Sequence, residues 1–215
     1  FGDGSIGIAP RINGTTGCGP QCPHCGEIII PDANFRVKLN TFTITHTYAG
    51  AGVYTISSLD PNRNAGVHNM QFSDQQPFYL ESVLMINNFT GANSSPEFKN
   101  RPTDRACVYQ CFYHNPGAFD ADGDSLSYEL TTSRGQGGAT VPGYFYPDVE
   151  GGTYSINPVT GLLSWCSPQF IDEYNLAFIV REWRKDTDGQ YRMIGYVLRD
   201  MQVIVGPCNN HPPVI

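Results

Sequence analysis

The sequence predicts an all-β chain made of two tandem immunoglobulin-like β-sandwiches, and three observations carry that expectation. Charged residues are only 15% of the 215, while 23 Gly, 16 Pro and a 12% aromatic share favour turns and strands over helices. Apolar residues alternate over segments of strand length, with turn formers between them. No segment sustains a 3.6-residue apolar period bounded by caps.

Taken in order, Phe35, Val37 and Leu39, then Phe42 and Ile44, alternate with Arg, Lys and Thr, which is the period of a half-buried strand with a slip near Asn40. His46 to Ile56 reads as strand end, glycine turn and strand. A third apolar run, Phe78 to Ile86, precedes a polar stretch, Asn87 to Asn100, that holds few core formers. That stretch sets the expected boundary: one sandwich over residues 1–92 that lacks its first strands, a second over 93–206, and a linker over 207–215 leading to a further module.

In the second module Leu126, Tyr128 and Leu130 share a strand face after the Asp122-Gly123 turn. Asn157 to Gly161 is a turn between Tyr154-Ser155-Ile156 and Leu162-Leu163-Ser164-Trp165. Leu176 to Trp183 and Arg192 to Val205 are two long strands joined through Asp186 to Gly189, where Asp188-Gly189 supplies hairpin chemistry. The tail Asn209 to Ile215 echoes Asn93 to Phe98, each placing Asn and then Pro before an apolar residue.

The charge of -7 with only 13 scattered Lys and Arg argues against a nucleic-acid partner. No run approaches the roughly 20 apolar residues of a membrane helix, so no membrane insertion is expected. Phe1 to Ser5 lacks the basic and apolar regions of a signal peptide, as expected of a mature or excised chain. Seven cysteines, Cys18, Cys22, Cys25, Cys107, Cys111, Cys166 and Cys208, predict an oxidising compartment and disulfides, with one thiol left over. Cys18, Cys22, Cys25 and His24 also offer four zinc ligands, but His24 and Cys25 are adjacent and rarely both reach one small ion, so disulfides are favoured. Cys107 with Cys111, Cys166 with Cys208, and links from the N-terminal trio to Cys107 or Cys111 all stay open.

Asp120, Asp122 and Asp124 alternate around Gly123, a spacing that lets three carboxylates converge on one hard cation. Ca²⁺ takes six to eight oxygens, so further ligands are needed, and Asp200, Glu182, Asn115 and Glu97 are the candidates. The competing reading is an Asx-rich turn whose carboxylates cap backbone N–H groups. Nothing sets a nucleophile beside a base: no Gly-x-Ser-x-Gly, His-Glu-x-x-His or phosphate loop occurs, and a non-catalytic chain is expected. Among the five histidines, His46 next to Tyr48 reads as a sandwich-core residue rather than a catalyst. Tyr144, Phe145, Tyr146 and Tyr154 form the densest aromatic cluster, either a sugar platform or, more simply, core. Asn13-Gly14-Thr15, Asn88-Phe89-Thr90 and Asn93-Ser94-Ser95 fit the N-glycan sequon.

Two stretches resemble known modules. Phe1-Gly2-Asp3-Gly4, with His46-Thr47-Tyr48 and Gly52-Val53-Tyr54 downstream, resembles the signature of PKD domains, small β-sandwiches of surface proteins. Asp120 to Leu126 together with Ser155 to Leu163 looks like a cadherin-like domain of the dystroglycan type. The whole arrangement, including Asp60-Pro61-Asn62-Arg63-Asn64, Asn115 to Asp120 and Arg199-Asp200-Met201-Gln202, is similar to the repeated region of large secreted surface proteins of Bacteroidota, often labelled gliding-motility-associated and exported by type IX secretion. Against that pattern Asp124-Ser125-Leu126 and Asp186-Thr187-Asp188 resemble the O-glycosylation motif of the same phylum. The cysteine-rich insert from Gly17 to Gly26 departs from it.

The resemblance implies an extracellular, cell-surface, structural or adhesive module whose cofactor is Ca²⁺. Its expected partners are other modules, copies of itself or a cell-surface glycan. A sandwich lacking its opening strand exposes an edge that templates a strand from another chain, which gives a head-to-tail filament. The rival expectations are a carbohydrate-binding module and an accessory domain of a secreted hydrolase.

Overall fold

A computed structural model describes residues 1–13, 26–32, 35–87 and 91–208. The chain is all-β: among the described residues the helical segments are three short 3-10 turns, at Ser73–Gln75, Gln136–Gly138 and Pro147–Glu150. None of them is long and apolar enough to cross a membrane. The chain divides into two compact units, one of residues 1 and 3–49, the other of residue 2 and 50–215.

In the first unit, β1 (Glu27–Asp32) and β2 (Phe35–Leu39) form an antiparallel hairpin whose register shifts between Ile28 and Ile30. The slip expected near Asn40 appears as the end of β2, after which Phe42 makes only an isolated bridge to Arg11. The ring of His46 stacks on Phe1 at 4.1 Å and meets Tyr48 edge-on, while its Nε2 lies 2.7 Å from Asp3 Oδ2. His46 is thus a packing and pairing residue of this unit.

The second unit carries β3 (Gly52–Asp60), β4 (Phe78–Ile86), β5 (Glu97–Phe98), β6 (Thr103–Cys107), β7 (Cys111–His114), β8 (Ala118–Phe119), β9 (Ser125–Thr131), β10 (Thr153–Ile156), β11 (Leu163–Cys166), β12 (Glu173–Lys185) and β13 (Tyr191–Gly206). The larger sheet has the order β3-β4-β13-β12-β9, with β6 added parallel to β13. A second sheet has the order β10-β11-β7, and β5 pairs with β8. The two sheets share one core: Phe112, Tyr154, Leu163 and Trp165 of the small sheet meet Tyr128, Leu176, Phe178, Val180, Met201 and Val203 of the large one.

β12 explains the arrangement. Its even positions, Tyr174, Leu176, Phe178 and Val180, are fully buried in the shared core, and Ala177 and Ile179 pack with Tyr79 and Leu198 on the other face. A strand covered on both faces reads as a continuous apolar run, and each large side chain so buried contributes about 1.5–3 kcal/mol. The hairpin to β13 turns where expected: Gly189, at φ 81°, donates its N–H to the Asp186 carbonyl.

The division expected near residue 92 falls inside the second unit. β4 pairs with β13 through Ser82–Val197, Val83–Tyr196 and Leu84–Gly195, so strands on both sides of residue 92 build one sheet. Within the polar stretch that suggests a linker, the Asn93 amide bonds Glu182 and Arg184 of β12, and the Ser94 backbone N–H donates to Asp122 of the carboxylate loop.

Two disulfides, Cys107–Cys208 and Cys111–Cys166, cross-link this unit. They replace the pairings Cys107–Cys111 and Cys166–Cys208 that the spacing left open. β6 runs parallel to β13 as far as Cys107–Gly206, which brings Cys208 alongside, and Cys111 lies directly opposite Cys166 in the β7–β11 register. With both thiols taken, the links from the N-terminal trio to Cys107 or Cys111 are closed. Cys18, Cys22, Cys25 and His24, the triplet Asn88-Phe89-Thr90, Gly14 and Thr15 of the first sequon, and the tail from Asn209 lie outside the described residues.

Candidate functional site

The core face of β12 does not end apolar. After Tyr174, Leu176, Phe178 and Val180, the same face presents Glu182 and then Arg184, which reach the loop between β8 and β9. That loop holds Asp120, Asp122 and Asp124, each offering an oxygen within 4.8 Å of the others. Gly123, at φ 82°, makes the turn.

Every carboxylate has a distinct role. Asp120 Oδ1 accepts the backbone N–H groups of Asp122 (3.0 Å) and Asp124 (2.9 Å), so the Asx-turn hydrogen bonds are in place. Asp122 Oδ2 accepts from the Ser94 N–H at 2.6 Å. Both oxygens of Asp124 hold the Arg184 guanidinium, whose Nε donates at 2.8 Å. Arg184 also donates to the Ala92 carbonyl and to Asn93 Oδ1, while Asn93 Nδ2 donates to Glu182 Oε1 at 3.2 Å.

Glu182 is fully buried and Asp120 nearly so, yet Glu182 Oε2 and Asp120 Oδ2 find no N–H or hydroxyl donor, and the two carboxyl groups lie within hydrogen-bond reach of each other. Burial pushes the Glu182 carboxyl up to about 7; the Asn93 amide opposes the rise, and the carboxylates of Asp120 and Asp124 add to it. Two buried acid oxygens without donors fit a hard cation, which asks for oxygen ligands and removes like-charge repulsion. The residues that would hold Ca²⁺ here are Asp120, Asp122 and Glu182, with Asp124 shared with Arg184.

Asp200 does not belong to this cluster. It is buried five residues further along β13 than Gly195, the cross-strand neighbour of Glu182. Its oxygens are satisfied by Arg63 Nη2 at 2.9 Å and Asn175 Nδ2 at 2.8 Å. Burial raises the Asp200 carboxyl and the Arg63 charge opposes the rise. Asn64 Nδ2 donates to Gln202 Oε1 beside it, so the segments Asp60 to Asn64 and Arg199 to Gln202 lock onto each other. Asn115 is likewise elsewhere: its side chain caps the Gly117 N–H and donates to the Thr160 carbonyl. Glu97 pairs with Lys99.

The aromatic cluster is packing. Tyr154 is buried, Tyr146 packs on the shared core, and Tyr144 packs on Val67, Met70 and Val141.

A second titratable cluster escapes the sequence reading. His68 Nε2 lies 2.7 Å from Glu150 Oε1 and its Nδ1 3.0 Å from Asp172 Oδ2, while Glu150 Oε2 accepts from the Tyr174 hydroxyl at 3.1 Å. The ring stacks on Phe170 and touches Phe145 and Tyr174. Burial pulls the His68 pKa down, but Glu150 and then Asp172 outweigh it and the net shift is upward. The partners stand 82 and 104 residues away, so no local pattern marks them.

No protein-family model and no curated protein matches the chain. A solved structure described as a nucleoside hydrolase-related hypothetical protein from Saccharophagus degradans, associated with carbohydrate metabolism, is similar over 57% of this chain and 28% of its own, at 18% identity and a TM-score of 0.33. That likeness is too slight to bear on fold or function.

Proposed function

We propose that the chain is a non-catalytic structural or adhesive module of an extracellular surface protein, stiffened by disulfides and by a calcium ion at the Asp120–Glu182 end of its core. The PKD-like and cadherin-like resemblance supports the reading. The two disulfides fit an oxidising compartment.

The observation that carries the proposal is the pair of buried carboxylate oxygens, Asp120 Oδ2 and Glu182 Oε2, that lack donors where the core face of β12 meets the loop. A cation there joins the loop to the strand, where the carboxylates alone repel. Trypsin digestion of the purified chain tests it. Calcium should slow cleavage after Arg184 and Lys185 relative to EDTA, and Asp120→Asn should abolish the protection. Equal cleavage rates in calcium and EDTA would remove the ion from the account.

A further inference from the structure

β13 carries β12 along one edge and two different strands along the other. On that second edge β4 pairs only with Gly195 to Val197, and β6 only with Gln202 to Gly206. Between them, at Leu198 to Met201, β4 swings away. Its register continued would set Phe78 opposite Met201, and instead the two residues line a surface cavity of about 270 Å³. That lies near the lower end of ligand cavities, about 300 Å³, and suits a single ring. The segments Asp60 to Asn64 and Arg199 to Gln202, singled out in the sequence, both supply lining residues.

Arg63 holds the wedge open. Its Nε donates to the Pro77 carbonyl at 3.2 Å, and its Nη2 to the Arg134 carbonyl at 2.8 Å and to Asp200 Oδ2 at 2.9 Å. One guanidinium thus ties the residue before β4 to β13 where the ladder stops. The side chain is 2% exposed, yet Nη1 has no partner. On the β6 side of the same cavity Thr103 Oγ1 is also buried without a partner. Buried polar atoms are costly to leave unpaired, and both of these residues line the cavity.

Charge decides against an ionic ligand. The Arg63 charge is matched by Asp200, buried beside it, and the remaining charged residue of the lining is Asp60, exposed at the rim. A carboxylate or phosphate would meet net negative charge, and an ammonium would meet the free N–H groups of Nη1. What the lining offers is a pure donor at Nη1, a hydroxyl on Thr103 and acceptor oxygens on Asp60, set around the apolar surfaces of Phe78, Pro102 and Met201. A sugar hydroxyl both gives and accepts, and the C–H face of a sugar ring covers apolar side chains.

We propose that this cavity binds an uncharged pyranose of a glycan, with one hydroxyl accepting from Arg63 Nη1, a neighbouring hydroxyl bonded to Thr103 Oγ1, and a third donating to Asp60. The inference names a ligand for the adhesive reading and rests on that reading. It uses none of the carboxylates of the Asp120 loop or Glu182, so its failure leaves the calcium-dependent protection untouched and the two are told apart.

The test is nuclear magnetic resonance titration of the intact, isotope-labelled chain with the methyl glycosides of glucose, galactose and mannose, and with the uronate of each. At least one neutral glycoside should saturate, shifting the Arg63 Nε–H signal and the Thr103 and Met201 amides, and should bind several-fold tighter than its own uronate. Thr103→Val should weaken it about fivefold, while Thr103→Ser, which keeps the hydroxyl, should bind as the parent chain does. Thr103 also lines the neighbouring cavity that holds Tyr113, so Tyr113→Ala serves as the control and should leave binding unchanged. No saturable shift with any of the three glycosides, a uronate bound as tightly as its neutral partner, full binding in Thr103→Val, or loss of binding in Tyr113→Ala would each overturn the proposal.

Discussion

Gly195 and Glu182 sit opposite each other on β13 and β12, and a Cβ at Gly195 would stand 2.5 Å from Glu182 Oε2 and 2.7 Å from the Val83 carbonyl. The glycine is what lets a buried carboxylate fold flat against the sheet. Gly195→Ala must therefore push on β4 backbone as well as on Glu182, and should destabilise the chain by about 1–3 kcal/mol. A lower midpoint in urea with unchanged slope checks this.

Glu182→Gln should have opposite effects with and without calcium. In EDTA it removes the repulsion from Asp120 and Asp124 and the cost of burying a charge, so unfolding should shift to higher denaturant by about 1 kcal/mol. In calcium it removes a ligand, and the variant should gain less from the ion than the parent chain does. Denaturation curves in both conditions read the crossing.

The His68 cluster predicts a pH dependence of definite sign. Its folded pKa lies above the ordinary 6.5, so the protonated bridge to Glu150 and Asp172 stabilises fully below 6.5 and is lost as pH rises through the raised value. Facing it are Glu150, Asp172 and Tyr174, while the Glu173 carbonyl accepts the His68 backbone N–H and the Glu173 carboxylate accepts from Gln202. Stability should fall from pH 6 toward neutrality and above in the parent chain, and that part of the fall should vanish in His68→Gln.

Cys107–Cys208 closes 101 residues and Cys111–Cys166 closes 55. In the chain-entropy picture each restrains the unfolded state by about 4–5 kcal/mol, before native strain is counted. Reduction should therefore lower the unfolding temperature strongly. Cys111→Ala with Cys166→Ala should do so less than full reduction, as followed by differential scanning calorimetry.

Much of the second unit was legible in the sequence because its strands carry local signals. The alternation Leu126, Tyr128, Leu130, the Asp188-Gly189 turn and the two long apolar runs appear as β9, the hairpin and β12–β13. Asp120, Asp122 and Asp124 lie within reach of one another, and Glu182 lies beside Asp120. What escaped depends on pairing across more than a hundred residues. β4 joins β13 rather than a separate sandwich, Asp200 faces Arg63 rather than the loop, and Cys107 meets Cys208. Local periodicity fixes which face of a strand is apolar, not which strand lies beside it. The polarity of Asn93, which reads as a linker, reflects its amide's bonds to Glu182 and Arg184.

The central claim, that a cation joins the Asp120 loop to Glu182 on β12, is tested most directly by calcium titration calorimetry of the intact chain at neutral pH. Saturable binding of one ion, accompanied by proton release and lost in Asp120→Asn, is the expected result. Heat indistinguishable from dilution, or binding that survives Asp120→Asn and Glu182→Gln together, would contradict it.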